Sequence, residues 1–336
     1  MDITTPTEFT TPMQLTTLGR TGLLVSVAGL GCGGFSRLGV STGKSEAESV
    51  ALVRLALDSG INLIDTAAQY GTEAIVGKAL RGVARDSVVL ATKSQIEVSG
   101  RALSEADMIA SLEASLRALG TDHVDIFQLH GIAPHEFDRA MTFVPALLRA
   151  REQGKIRFLG ITESGAGDHQ HDMLHRAAGH GVFDVVMVAF NMLHRTAADR
   201  LFPLTGEKGI GTLVMHAVRS IFARPDFLAA SVRELAKAGK VPAELAQSDG
   251  PLDFLVHPGG AASTTDAAYR FARHSAGVDV VLFGTGSADH LRANVASLLR
   301  PPLPAADLAR LFELFGAVSG LGLESPASAR PAAAKA

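Results

Sequence analysis

Four residues of this chain are of types that together can deliver a proton to an oxygen atom: Asp65, Tyr70, Lys93 and His130. The run INLIDTAAQYG (61–71) is apolar until it ends in Asp65, with Tyr70 five residues on. Ile61, Leu63 and Ile64 read as a strand covered on both faces, where a terminal carboxylate is costly to bury without a cation. Lys93 ends the run VVLATK (88–93), and His130 ends VDIFQLH (124–130). A phenol titrates near pH ~10 and shuttles protons poorly at neutrality unless its anion is stabilised. An ammonium about 4 Å away supplies roughly 4 kcal/mol at an effective dielectric near 20, up to about 3 pKa units before desolvation opposes it. Asp65 then keeps Lys93 charged, and His130 donates to, or orients, an oxygen beside the phenol. The set suits proton transfer to a carbonyl oxygen as its carbon receives a nucleophile. None of the four is that nucleophile, so a cofactor hydride is the natural candidate.

Singly, each of these residues reads better as a satisfied polar group. Their joint reading depends on elements that bring three strand ends to one place. Eight short apolar runs recur at 27–31, 61–65, 88–93, 124–130, 156–162, 185–190, 211–216 and 278–284. Amphipathic stretches separate them. One spans 45–60, with Val50, Val53, Leu55 and Leu57 on an apolar face; another runs from a capping Ser104 to Gly120. Strands alternating with helices suggest a closed parallel barrel or an open doubly wound sheet, and the strand count favours the α/β (β/α)8 TIM barrel. In a barrel the carboxyl ends of the strands form one mouth. The glycines of GLGCGG (29–34) do not meet the dinucleotide-loop spacing, and the next helix begins only near Ser45. They read instead as letting a loop pass close to a ligand or to neighbouring backbone.

With 336 residues and 47% hydrophobic content the chain can bury a sizeable core. One cysteine and a start without a basic-then-apolar segment suggest a cytoplasmic protein. A net charge of −3 without a basic block argues against a nucleic-acid partner, and no apolar run approaches the ~20 residues of a membrane span. A single domain is expected over 13–322, between disordered tails at 1–12 and 323–336. His171 and His175, with His169 nearby, have a spacing zinc can use, but a solvated helix face is the simpler reading and no metal is expected. Residues 217–263 read as a long loop after the seventh strand.

Taken together, LGRTGLLVSVAGLGCGG, DTAAQYG, ATK, DIFQLH, GKIRFLGIT, EKGIGTLVMH and GTGSADHLRANV make the chain resemble the aldo-keto reductases from about Leu15 to Leu299. The resemblance implies a barrel closed below by an amino-terminal hairpin, and NAD(P)H-linked interconversion of an aldehyde, ketone or aldose with its alcohol. It makes Tyr70 the general acid, Asp65 and Lys93 its support, and His130 the orienter of the carbonyl. It implies cofactor contacts from Gly31, Cys32, Asp65, Thr162, Glu163, Asn191, Met215, Arg219, Gly284, Thr285, Gly286, Ser287, His290 and Asn294. Substrate contacts would come from Phe35, Tyr70, His130, Phe222 and Phe227. Several positions depart from the family pattern: Glu163 replaces an amide, Met187 a glutamine, Met215 an aromatic ring, Gly286 a cation for a 2′-phosphate and Ala293 a glutamate. NAD and NADP therefore both stay open. Two other readings are a nucleotide-holding regulatory protein with little turnover, and an aldolase forming a Schiff base on Lys93. The aldolase is disfavoured because an ion-paired lysine is a poor nucleophile.

Overall fold

In the computed structural model, which describes residues 11–165 and 167–323, eight parallel strands close into a barrel. They are Ala28–Gly31, Leu63–Asp65, Val89–Ser94, Val124–Ile132, Ile156–Glu163, Val185–Ala189, Gly211–Met215 and Val280–Phe283, each paired with its sequence neighbours and the last with the first. Each falls on one of the eight apolar runs. The segments expected to be tails lie outside the described residues, apart from Thr11, Pro12 and Leu323, and Leu323 is buried.

Alternation along the strands decides which side chains enter the barrel. Leu63, Val89, Ala91 and Ile126 belong to the interior cluster, while Ile64, Leu90, Phe127 and Leu129 pack outward under the helices. Continuing the same period of two carries Asp65, Lys93, Gln128 and His130 inward at the top. Lys93 and Gln128 are register partners. Chemistry therefore sits on an apolar floor. That floor is completed from below by the hairpin Leu15–Thr17 and Leu24–Ser26, whose Leu18, Leu23 and Val25 join the interior cluster.

The helices follow the sequence closely at their caps. Ser45 and Ser104 each form a reciprocal capping box ahead of Glu46–Asp58 and Glu105–Leu119, and Gly120 ends the second in a left-handed conformation. The face buried deepest by the first is Ser49, Leu52, Val53 and Ala56, with Val50, Leu55 and Leu57 at its margins. The expected stripe is thus rotated by part of a turn, because Ser49 fits close to the strand-one loop and donates to the Leu38 carbonyl.

The stretch 217–263 is not the irregular loop its length suggested. It contains helices Ser220–Ala223 and Pro225–Lys237, with short 3-10 turns at Ala243–Gln247 and Asp253–Leu255. Proline in the first turn and buried Leu228, Ala229 and Val232 explain the longer helix.

The hairpin turn meets the barrel base at Gly19, whose φ is +46° and whose Cβ, if present, would lie 2.3 Å from the Gly211 nitrogen. Gly19→Ala is therefore expected to lower unfolding free energy by more than about 1 kcal/mol, read as a lower urea midpoint at unchanged slope. A midpoint equal to wild type would show that the hairpin does not hold the barrel base.

Candidate active site

Asp65 ends the second strand because the chain must turn there, and backbone bonds fix that turn on both sides. Cys32 N–H donates to the Asp65 carbonyl and Thr66 N–H to that of Ala91. A 3-10 turn over Ala68–Tyr70 closes on Gly71 in a left-handed conformation, and this swings Tyr70 back over the barrel. Gly33 leaves room for it: a Cβ there would sit 2.5 Å from the Tyr70 ring. The sequence singles out Gly31 and Cys32 but not Gly33, whose one signal is the density of glycines after the first strand.

Lys93 is fully buried, and each of its three ammonium protons has an acceptor. Asp65 Oδ2 lies at 2.7 Å, the Thr66 carbonyl at 2.8 Å and the Tyr70 hydroxyl at 3.4 Å. The ammonium also stands 4.8 Å from the centre of the Tyr70 ring. His130 Nε2 approaches the same hydroxyl at 3.3 Å. The structure thus brings all four sequence-predicted residues together, with Asp65 and Lys93 buried and Tyr70 and His130 partly exposed at the mouth.

Electrostatics refine the expectation. Burial opposes the ammonium, yet the charges of Asp65 and Tyr70 outweigh it and hold Lys93 above its ordinary range. Burial pushes the Asp65 carboxyl up against the opposing pull of Lys93 and Gln128. It also pushes the Tyr70 phenol up, with Lys93 opposing and Asp65 reinforcing. The sequence predicts that Lys93 lowers the phenol; in this structure desolvation is the larger effect, and Lys93 limits the rise. Burial first, then Lys93, drives His130 down to about 3, so the imidazole is neutral near physiological pH. Such an array can donate a proton from Tyr70 and steady an oxygen between Tyr70 and His130.

The polar atoms expected to meet a cofactor are largely engaged within the protein. Thr162 Oγ1 accepts from Gly131 N–H at 2.7 Å. The Asn191 amide donates to the Leu321 carbonyl and accepts from Leu193 N–H. Glu163 does not face the mouth: its side chain is fully buried, accepts from Ala189 N–H at 2.7 Å and lies 2.9 Å from His171 Nδ1. On its other side His171 Nε2 meets Thr196 Oγ1, which itself donates to the His169 carbonyl. Donor counting then places one proton between Glu163 and His171, leaving the couple with no net charge. Burial accounts for the upward shift of Glu163, with His171 opposing.

His171 is therefore no solvated helix residue. The helix Asp172–His180 starts just after it, and a left-handed φ of 56° turns its ring inward, whereas His175 stays exposed. Met187 and Met215 line the barrel interior. Beyond Met215, His216 has a left-handed φ of 64° and a buried Nδ1 with no partner among the described residues.

After the eighth strand, Gly284, Thr285, Gly286 and Ser287 form the turn into helix Ala288–Leu299. Ser287 caps it by accepting from His290 N–H. His290 is exposed and Asn294 half-buried on that helix. Gly286 is glycine for a steric reason, not for a positive φ: a Cβ would lie 2.7 Å from Gly39 Cα. Arg292 pairs with Asp289. Phe35 is exposed. Phe222 instead packs in the core, and Phe227 is half-buried with the Arg224 guanidinium 5.4 Å from its ring centre. Arg219 stands in extended conformation at the residue before the short helix Ser220–Ala223.

The family model described as aldo/keto reductase matches residues 29–315. L-galactose dehydrogenase of Arabidopsis thaliana is 30% identical over 301 residues, covering 86% of this chain and 89% of that protein. An aldo-keto reductase of Bacillus halodurans in its holo form is 24% identical with a TM-score of 0.67, over 93% of this chain and all of that one. One from Klebsiella pneumoniae, in complex with NADP and acetate, is 24% identical with a TM-score of 0.62, over 89% of this chain and 94% of that one. The two solved structures establish likeness of fold.

The chain has two tyrosines and no tryptophan, so tyrosinate absorbance can follow Tyr70 once the Tyr70→Phe background is subtracted. Lys93→Met should move the Tyr70 titration to higher pH, since the cation opposing the rise is gone. An unmoved titration would assign Lys93 to structure alone.

Proposed function

The chain belongs to the aldo/keto reductase family of oxidoreductases, and from that premise we propose that it interconverts a small carbonyl compound and its alcohol using NAD(P)H. The observation that carries this reading is the Tyr70 hydroxyl, flanked at the barrel mouth by Lys93 Nζ at 3.4 Å and His130 Nε2 at 3.3 Å. Tyr70 gives its proton to the substrate oxygen in reduction and takes it back in oxidation. Lys93 stabilises the phenolate left behind, and Asp65 keeps Lys93 charged and in place. His130, neutral, holds the substrate oxygen beside the hydroxyl. The nicotinamide nucleotide, when bound, supplies or accepts the hydride.

Parts of the site fit that nucleotide well. The capped start of helix Ala288–Leu299 suits a diphosphate, and Gly31 and Gly284 keep the neighbouring backbone open to close approach. The Nδ1 of His216, which has no partner among the described residues, would offer the nucleotide a polar atom beside Met215. The engagement of Thr162, Glu163 and Asn191 favours a second reading, a nucleotide-holding protein with little turnover. The Arabidopsis thaliana relative acts on L-galactose by its name, which puts aldoses and polyols first among substrates to try.

A spectrophotometric screen of aldehydes, ketones, aldoses and polyols against both nucleotides decides between the readings: nucleotide binding without turnover on any of them selects the second. Tyr70→Phe is expected to lower turnover by at least about 10²-fold with nucleotide affinity retained; equal turnover removes Tyr70 from the chemistry. Because no cation stands at Gly286, and a missing charge-assisted contact corresponds to a ratio of about 100, fluorescence titration should find NADPH bound no more than about 100-fold more tightly than NADH. A preference in the thousands would mean that another cation grips the 2′-phosphate.

A further inference from the structure

Gln128 lies outside the four-residue set, yet it is the side chain that touches the set from the fourth strand. It is fully buried, beside its register partner Lys93. Its Nε2 lies 3.3 Å from Asp65 Oδ1, while Lys93 holds Oδ2. The carboxylate thus has one donor per oxygen, an ammonium and an amide. The orientation of the amide is fixed by this contact, since turning it over would set Oε1 against the carboxylate.

In that orientation Oε1 is buried with no hydrogen-bond partner among the described residues. An unpaired buried acceptor is costly. A methionine or leucine would fill the same inward position without that cost, as Ile126 does two residues earlier on the same strand. What the position retains glutamine for is therefore its donor. The fifth strand makes room for it: a Cβ on Gly160, the register partner of Gln128, would lie 2.8 Å from Gln128 Cγ.

We propose that Gln128 is a positioning residue that keeps the Asp65 carboxylate ionised and turned onto Lys93, and through that pair governs proton transfer at Tyr70. The second half rests on the reading of Tyr70 given above, whereas the first stands on the geometry alone. Among the described residues, the groups facing Asp65 are Lys93 from the third strand, Tyr70 from the turn after its own strand, the Cys32 thiol from just beyond the first and the Gln128 amide from the fourth. Lys93 is the one cation among them. Gln128 adds a donor without adding a charge that would compete with Lys93 for the carboxylate.

Two variants of the full chain test this. Gln128→Met keeps the shape without the donor, and Gln128→Glu donates only when protonated. Infrared difference spectra on acidification follow protonation of Asp65, identified by the band missing in Asp65→Asn. The midpoint is expected to rise by about one pH unit in Gln128→Met, the scale of a lost hydrogen bond to a charged group. Turnover should fall about tenfold with KM and nucleotide affinity unchanged, and its acid limb should rise with the midpoint. In Gln128→Glu, the new carboxyl shares a buried site with the Asp65 carboxylate and holds its proton toward high pH. Turnover should fall as the pH rises and that proton is lost, and recover as the pH is lowered, because only the protonated carboxyl donates to Asp65; a merely structural role gives no such recovery. An unmoved midpoint in Gln128→Met, or a Gln128→Glu profile without recovery, overturns the proposal. If Gln128→Met does not fold, the Gln128→Glu profile decides. A wild type that turns over no carbonyl or alcohol with either nucleotide overturns the functional reading instead, and the infrared midpoints still decide the role of Gln128.

Discussion

Everything at the barrel mouth depends on one buried ion pair, Lys93 with Asp65. An ammonium with no exposed surface is tolerated only if each of its protons finds an acceptor and a counter-charge stands beside it. Asp65, Thr66 and Tyr70 meet that demand. Breaking either side of the pair would leave a lone charge on an apolar floor, so the second strand, its turn and the third strand are bound to one another by electrostatics as much as by packing. The placement of Tyr70 is a consequence: its hydroxyl is the third acceptor of the ammonium.

The same constraint explains the layering of the interior. Strand alternation sends every second residue inward whatever its chemistry, and the lower layers are filled by leucine, valine, isoleucine and methionine. Only at the top layer, where the strands end, can polar side chains reach both each other and the mouth. Gly160 beside Gln128 and Gly33 beside Tyr70 show the cost of crowding four functional side chains there: neighbouring positions give up their own Cβ atoms.

A second buried couple, Glu163 with His171, organises the far side of the mouth in a different way. It joins the fifth strand to the sixth through Ala189 and to the following segment through His171 and Thr196. Where the family pattern has an amide directed at the cofactor, this chain has a carboxyl group neutralised and fixed from behind. The side of the mouth formed by strands five to seven is thereby held by internal contacts, and among the described residues the His216 Nδ1 has no partner.

The sequence by itself determined the eight strands, their parallel order, the helix start near Ser45, the cap at Ser104 and the convergence of Asp65, Tyr70, Lys93 and His130. These are carried by local periodicity, by capping chemistry and by residues at strand ends, which a barrel must collect at one rim. Tertiary structure alone decided what faces what. The resemblance to the family implies Glu163 as a cofactor contact, but whether a strand-end side chain turns to the mouth or to a neighbour depends on partners distant in sequence, here His171 and Ala189. Gln128 and Gly33 escaped notice for the same reason: one looks like an ordinary inward residue and the other like one glycine among several, until Asp65 and Tyr70 are placed against them. The helices within 217–263 were hidden because their apolar face packs on an outer layer whose position only the closed barrel supplies. Short-range patterns fix elements and their order, while the direction of a polar side chain is fixed by burial and pairing, which are properties of the folded chain.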